Sequence, residues 1–459
     1  MTEAIELPAS ISALVGPVIR DLARRSNHDV TRWLHQVDRL RGCREPIRLT
    51  GESDTIDSVT GELLRHYTTI HEPHGQLLVR CGNRRQARCP ACAETYRRDT
   101  FHLIRAGLLG GDKGVPATVC THPRVLATFT APTFGPVHRG PAKDGAAPIC
   151  HPRRTSPACF TRHQQGDPAI GQPLDPDTYD YVGHILWNAH AGDLWRRFTI
   201  YLRRHLAAAA GLTRKTFDET VRISFAKVAE YQARGVVHFH AVIRLDSRTE
   251  DTTPVPPPAW ATVELLDGAI HSAARAVQLP SPDLGQPTRQ LLWGDQIDVK
   301  HIATAADSST GDMTEEKVAG YIAKYATKAA ETSGTLDRPL TSATILQLHR
   351  LDIAEHPARL IRTAWTLGNP ATHPDLAHLR LRDWAHMLGF RGHFSTKSRA
   401  YSTTLGDLRQ ARIDWARARL PYDPETTYVL GHWQYAGQGF TPGEHALAAS
   451  LTQEAAYDR

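Results

Sequence analysis

In Val236-Val237-His238-Phe239-His240-Ala241-Val242-Ile243, two histidines stand one residue apart inside an apolar run rich in β-branched residues. Side chains alternate across a strand, so His238 and His240 share one face while Val237, Phe239, Ala241 and Ile243 share the other. A second run, Val221 to Glu230, is parted from the first by a short turn ending in Gly235, and the two read as a hairpin. On that partner strand Val221, Ile223 and Phe225 lie on one face; Arg222, Ser224, Ala226, Val228 and Glu230 lie on the other, which lets Glu230 join the histidines. Two imidazoles and a carboxylate make a three-ligand set for a divalent ion, with positions left open for a phosphate. The chain has 25 histidines, and hydrogen-bonded core histidines would give the same spacing, so the hairpin alone leaves both readings open.

In Tyr321-Ile322-Ala323-Lys324-Tyr325-Ala326-Thr327-Lys328, positions i, i+3, i+4 and i+7 put both tyrosines and both lysines on one helical stripe. Val318, Ile322, Ala326 and Ala329 make the opposite side apolar or small. A phenol with a pKa of about 10 is a poor nucleophile at neutral pH unless something stabilises its anion or the charge developing on the phosphate it attacks. Adjacent lysines and a metal ion would do both. An amphipathic surface helix, its long side chains lying over the fold, would show the same stripe.

Cys81, Cys89 and Cys92 have the spacing C-x7-C-x2-C with Pro90 inside the knuckle, and Cys43 can complete a tetrahedral Cys₄ zinc site. Reduced, unliganded thiols are the alternative. The seven cysteines are an odd number at uneven spacing, in a sequence without an export signal, which argues against a disulfide framework.

The elements that must position these groups can be read around them. Val125 to Thr130 reads as a strand stopped by Pro132, with Leu126, Thr128 and Thr130 alternating against Val125, Ala127 and Phe129. Ile11 to Gln36, Ala93 to Leu109 (ended by Gly110-Gly111), Tyr179 to Ala210, Ala259 to Ala276 and Thr314 to Ala330 read as helices, the last with Thr314 as N-cap and Glu315-Glu316 in its first turn. Residues 135–178, rich in Pro, Gly, His and Cys, read as a long irregular insertion. The 459 residues allow two or three domains, and the expected division is a cysteine-containing zinc module over 1–115, a catalytic domain over 116–335 and a mostly helical, DNA- or partner-binding region over 336–459. The fold class expected is α+β, a central antiparallel sheet flanked by helices.

The net charge of +6, from 54 Lys and Arg against 48 acids, permits polyanion binding without requiring it. No stretch approaches the roughly 20 apolar residues of a spanning helix, so no membrane association is expected and the expected location is the cytoplasm. No G-x-x-x-x-G-K-[ST] occurs, so the chain should not be a helicase.

Together, His238-Phe239-His240 and the paired tyrosines resemble the HUH endonuclease superfamily of Rep proteins, relaxases and related transposases. Thr128-Phe129-Thr130-Ala131-Pro132 resembles the first conserved strand of its two-tyrosine initiators. Lys227-Val228-Ala229-Glu230-Tyr231-Gln232, Trp384-Ala385-His386-Met387-Leu388-Gly389 and Thr396-Lys397-Ser398-Arg399 are similar to rolling-circle replication initiators of actinobacterial plasmids and integrative conjugative elements, over about residues 40 to 415.

The resemblance implies an HUH core in which Glu230, His238 and His240 hold Mg²⁺ or Mn²⁺. Tyr325 would make the first cut in single-stranded origin DNA and Tyr321 the second, each through a 5′-phosphotyrosine bond, with Lys324 and Lys328 beside them. Thr128, Thr130, Arg234, Lys397 and Arg399 are then candidate DNA contacts, and a host helicase with the replication machinery is the implied partner. A transposase or conjugative relaxase keeps this chemistry under another biology, and a zinc-containing DNA-binding regulator would lack it. The relatives carry further cysteines near Pro173 to Tyr179, where this chain has Asp175 and Thr178. Whether Cys150, Cys159 and His163 form a second metal site is thereby left open.

Overall fold

The computed structural model describes residues 27–451 except 143–144, 252, 283, 285–288, 304–312, 329–333, 337, 421–423, 442–443, 446–447 and 450. In chain order these form helix α1 (Asn27–Leu40), strands β1 (Ile47–Asp57), β2 (Leu63–Thr68) and β3 (Leu77–Val79), helix α2 (Pro90–Leu109), strand β4 (Arg124–Phe129) and helices α3 (Tyr181–Ala209) and α4 (Arg214–Thr220). Strands β5 (Val221–Tyr231) and β6 (Val237–Ser247), helix α5 (Val263–Ala276) and strands β7 (Gln278–Pro280), β8 (Gln290–Leu292) and β9 (Ile297–His301) follow. Helices α6 (Glu315–Ala326), α7 (Ser342–Leu346) and α8 (Glu355–Leu367), strand β10 (Ser395–Lys397), helix α9 (Leu405–Arg417) and strand β11 (Thr427–Gln438) complete the order. The first part of the expected Ile11 to Gln36 helix, and Ala329 and Ala330 of the last expected helix, lie outside the described residues. Among the described residues no helix is long and apolar enough to cross a membrane.

The chain forms two compact units, Thr100–Thr403 and a smaller one built from Met1–Asp99 with Thr404–Arg459. The larger unit is built on an antiparallel sheet of order β10-β5-β6-β4-β9. Its apolar face carries Val125, Ala127, Phe129, Val237, Phe239, Ala241 and Ile243, all buried in one core with Trp187, Trp195 and Phe198 of α3. The Phe129 ring meets Phe198 edge-on at 4.6 Å and Trp195 at 5.5 Å. Aromatic burial on this scale contributes roughly 1.5–3 kcal/mol per ring, enough to fix which face of the hairpin turns inward. α3 starts where Asp180 caps the Gly183 amide at 2.9 Å. The second face is covered at β5 by α6, whose Val318, Ala319, Ile322, Ala323 and Ala326 are buried. The chain is therefore α+β with antiparallel sheets and flanking helices, as expected.

In the smaller unit β1 is central: it pairs along its whole length with β11, and on its other edge with β2 and β3. The close crossing is set at Gly51, φ +143°, where a Cβ would sit 1.9 Å from the His432 carbonyl oxygen. The expectation of a mostly helical region over 336–459 left out two strands that stand there beside helices α7, α8 and α9. β10 joins the sheet of the larger unit as an edge strand, and Thr427–Gln438, dominated by β-branched, aromatic and small residues, is a strand. Both of its faces are largely exposed, so it lacks the alternation that marks a half-buried strand in sequence. The compact units also cut across the expected linear division, since residues from Thr404 on pack with the N-terminal part and 336–403 belong to the sheet unit.

Candidate functional site

The hairpin register sets Glu230 opposite His238 and Val228 opposite His240, and β4 sets Thr128 on the other side of His240. Cross-strand partners share a face, so Glu230, His238 and His240 converge. Glu230 Oε2 accepts from His238 Nε2 at 2.8 Å and from His240 Nε2 at 3.0 Å. The three ligand atoms lie within 4.8 Å of one another. His240 is buried, and the Thr128 hydroxyl 3.0 Å from its Nδ1 fixes the ring with Nε2 toward Glu230. A ring oriented through its second nitrogen is the usual arrangement of a metal-ligating histidine.

Helix α6 brings the tyrosines to the same point. Thr314 caps it through the Lys317 amide, with Glu315 and Glu316 in the first turn, as the sequence predicts. The Tyr321 hydroxyl is 3.3 Å from His240 Nε2, and the Tyr325 ring stacks on His240 at 5.4 Å between centroids, tilted 27°. The two tyrosine rings are 4.9 Å apart. Lys328 Nζ lies 4.9 Å and Lys324 Nζ 5.6 Å from the Tyr325 ring centre. All seven predicted catalytic and ligating residues thus meet in one place, although Tyr321 stands 81 positions after His240 in the chain.

Burial acts to raise the Glu230 carboxyl, but hydrogen bonds from His238 and His240 outweigh it and hold the group at about 2. Tyr321 is pushed up first by burial, then by the neighbouring Tyr325 and by the negative charge of Glu230. Tyr325 is raised by burial and Glu230. The carboxylate is thus ionised and turned inward, while both phenols need compensating positive charge before they can act as nucleophiles. The donor set fits a hard or borderline divalent ion.

The other predicted contacts are distributed differently. Thr128 lies on the site side of β4 opposite His240, whereas Thr130 follows the end of the strand and lines a cleft with Gln232 and Arg234. Arg234 places its guanidinium on the Ala131 and Pro132 carbonyls at 3.3 and 3.1 Å and its Nε on Gln232 at 2.9 Å, so its donors brace the hairpin turn. Lys397 Nζ caps the carbonyls of Ser398, Arg399 and Ser402 at 3.3, 3.3 and 2.9 Å. Arg399 is exposed. Asp298 on β9 stands across from Thr128 and adds to the negative charge felt by Tyr321. Sequence reading missed it; the alternation of Asp298 and Lys300 is its signal, in a strand of only five residues.

In the smaller unit Cys43 follows α1, Cys81 follows β3, and Cys89 and Cys92 flank the start of α2. Their four sulfurs lie within 4.8 Å of one another, with Cys89 and Cys43 Sγ 3.8 Å apart. The Cys43 and Asn83-facing sulfurs accept backbone N–H groups, Cys81 N at 3.4 Å and Asn83 N at 3.5 Å. Hydrogen bonding with Cys43 and then Cys92 pulls the Cys89 thiol down, while hydrogen bonding with Cys89 and then Cys92 pushes the Cys43 thiol up. Four sulfurs this close together form a donor set that could hold a zinc ion, and they are the four cysteines picked out by their spacing.

A family model described as RepSA, replication initiator protein, pSAM2, matches residues 29–453. A replication initiator protein of Streptomyces ambofaciens is 50% identical over 453 residues, covering 96% of this chain and 94% of the relative. No solved structure matches significantly.

Proposed function

Because the chain belongs to the RepSA family of replication initiator proteins, we propose that it initiates rolling-circle replication by nicking and rejoining single-stranded origin DNA through a tyrosine, in the manner of HUH endonucleases. The observation that carries this reading is the convergence of Tyr321 and Tyr325 on His240 within the Glu230, His238 and His240 set.

Glu230, His238 and His240 would hold Mg²⁺ or Mn²⁺, which when bound polarises the scissile phosphate and offsets the charge that keeps both phenols protonated. Thr128 holds the His240 ring and α6 holds the nucleophiles against it. The Tyr325 oxygen forms a bond to phosphorus as the bond from phosphorus to the 3′-oxygen breaks, and the phenol proton ends on that oxygen. The products are a 5′-phosphotyrosine and a free 3′-hydroxyl able to prime synthesis. One phosphodiester replaces another, so rejoining is the same step reversed. Lys324 and Lys328 stabilise charge on the Tyr325 side, which favours Tyr325 for the first cut. Tyr321, on the same helical face, remains for the second while the first is occupied.

Strand separation falls to a host helicase or to supercoiling, and the zinc held by Cys43, Cys81, Cys89 and Cys92 is structural. The reading is tested by incubating the protein with supercoiled origin plasmid and Mn²⁺. Nicked circles that disappear on chelation and in a His238→Ala/His240→Ala variant support it; an unchanged plasmid with wild type would refute it.

A further inference from the structure

Residues 135–178 join β4 to α3 without a helix or strand among the described positions; two short bridges, Val137 with Pro173 and His151 with Cys159, are their regular pairings. Such a segment needs something to hold it, because ordering each residue costs about 1–2 kcal/mol of backbone entropy. Apolar burial does not supply it. The described residues of the segment that are buried are Cys150, His163, Gly171 and Pro173, and Phe160 is 68% exposed.

Cys150 and His163 point at the same spot as His138 and Cys159. The four ligand atoms lie within 4.8 Å of one another. His138 Nδ1 is 3.1 Å from His163 Nε2, Cys150 Sγ is 3.8 Å from His138 Nδ1, and Cys159 Sγ is 3.5 Å from His163 Nε2. Bond lengths of about 2.0–2.1 Å to nitrogen and 2.3 Å to sulfur in a tetrahedron put neighbouring ligand atoms roughly 3.3–3.8 Å apart, against 3.1, 3.5 and 3.8 Å here. The surroundings are also those of a ligand set. His163 gives its Nδ1 to Asp167 Oδ2 at 2.6 Å, which leaves Nε2 facing inward, and the Arg139 amide donates to Cys150 Sγ at 3.2 Å.

We propose that His138, Cys150, Cys159 and His163 bind a second structural zinc ion, separate from the Cys₄ cluster, and that this ion is the core of the insertion. His138 supplies the ligand missing from Cys150, Cys159 and His163 alone. The insertion in turn abuts the catalytic hairpin: at Gly171 a Cβ would lie 2.5 Å from the Ala233 carbonyl carbon, and His138 and His151 line a cleft of about 680 Å³ with Thr130, Gln232 and Arg234. The ion therefore fixes one wall of the cleft beside the turn between Glu230 and His238.

The test is zinc per chain, by mass spectrometry of the full-length protein purified without added metal. The Cys150→Ser/Cys159→Ser variant should hold one zinc fewer than wild type while Cys43, Cys81, Cys89 and Cys92 keep theirs. His163→Cys, which replaces an imidazole by a thiolate, should keep the wild-type content, and this guards against mistaking misfolding for ligand loss. Equal zinc in wild type and the double variant would overturn the proposal.

Discussion

Arg124 on β4 and Glu315 in the first turn of α6 form a 2.6 Å ion pair in which each side chain is 2% exposed. Arg124 also donates to the Leu108 and Val119 carbonyls at 2.7 and 3.1 Å, so both terminal nitrogens of the charged fork are partnered and the pair ties the tyrosine helix to the strand that carries Thr128. Removing one partner leaves a buried charge alone, at a cost of about 3–5 kcal/mol. Glu315→Ala is expected to lower the urea midpoint and to slow nicking with both tyrosines intact. Arg124→Met/Glu315→Leu should recover much of the stability. Unfolding that is unchanged in Glu315→Ala would show that the pair does not anchor α6.

The turn between β5 and β6 is braced by two neutral histidines, His184 on the Gly235 carbonyl at 3.0 Å and His356 on the Arg234 carbonyl at 2.9 Å. Burial holds their pKa values near about 3 and about 4. An unfolded histidine titrates at about 6.5. Between that pH and about 4 the unfolded chain therefore takes up protons that the native state refuses, and stability falls as pH falls, by roughly 1.4 kcal/mol per pH unit for each ring. Urea midpoints at about pH 7, 6 and 5 should decline, and decline less steeply in His356→Gln. A pH-independent midpoint would contradict this.

Lys324 and Lys328 flank the Tyr325 ring. Their replacement by alanine is expected to slow single-turnover cleavage about 10–100-fold, or about 1.4–2.7 kcal/mol in the transition state. Oligonucleotide affinity, read by fluorescence anisotropy, should change much less. Loss confined to binding would mean that the lysines only hold DNA.

Zinc at Cys43, Cys81, Cys89 and Cys92 would link the ends of α1, β3 and the start of α2. Cys92→Ser should therefore raise amide exchange in α1 and β1 while β5 and β6 stay protected. Unaltered exchange in α1 and β1 would show that the sulfurs are not stapled by a metal.

The parts of the site legible in sequence were those written as a local period. His238 and His240 alternate on a strand, Tyr321 and Tyr325 repeat on a helix, and Thr314 marks its start; each needs only neighbours within a few residues. What could not be read depends on chain brought from far away. β11 pairs with β1 across more than 350 residues and buries neither face, so no alternation announces it. Arg124 and Glu315 look in sequence like ordinary surface charges, and only the packing of α6 buries them. Ala226 and Val228 are buried for the same reason, on the face that hairpin alternation assigned to the histidines. His138 stands 12 residues before Cys150 in an irregular segment, where no period could single it out.

The most direct test of the central claim uses a labelled single-stranded origin oligonucleotide with Mn²⁺, followed by denaturing electrophoresis, for wild type, Tyr325→Phe, Tyr321→Phe and the double variant. The account predicts a protein-linked DNA band that needs metal, weakens most in Tyr325→Phe among the single variants, and vanishes in the double variant. DNA binding by the wild type without any covalent band, or a band that survives loss of both tyrosines, would contradict it.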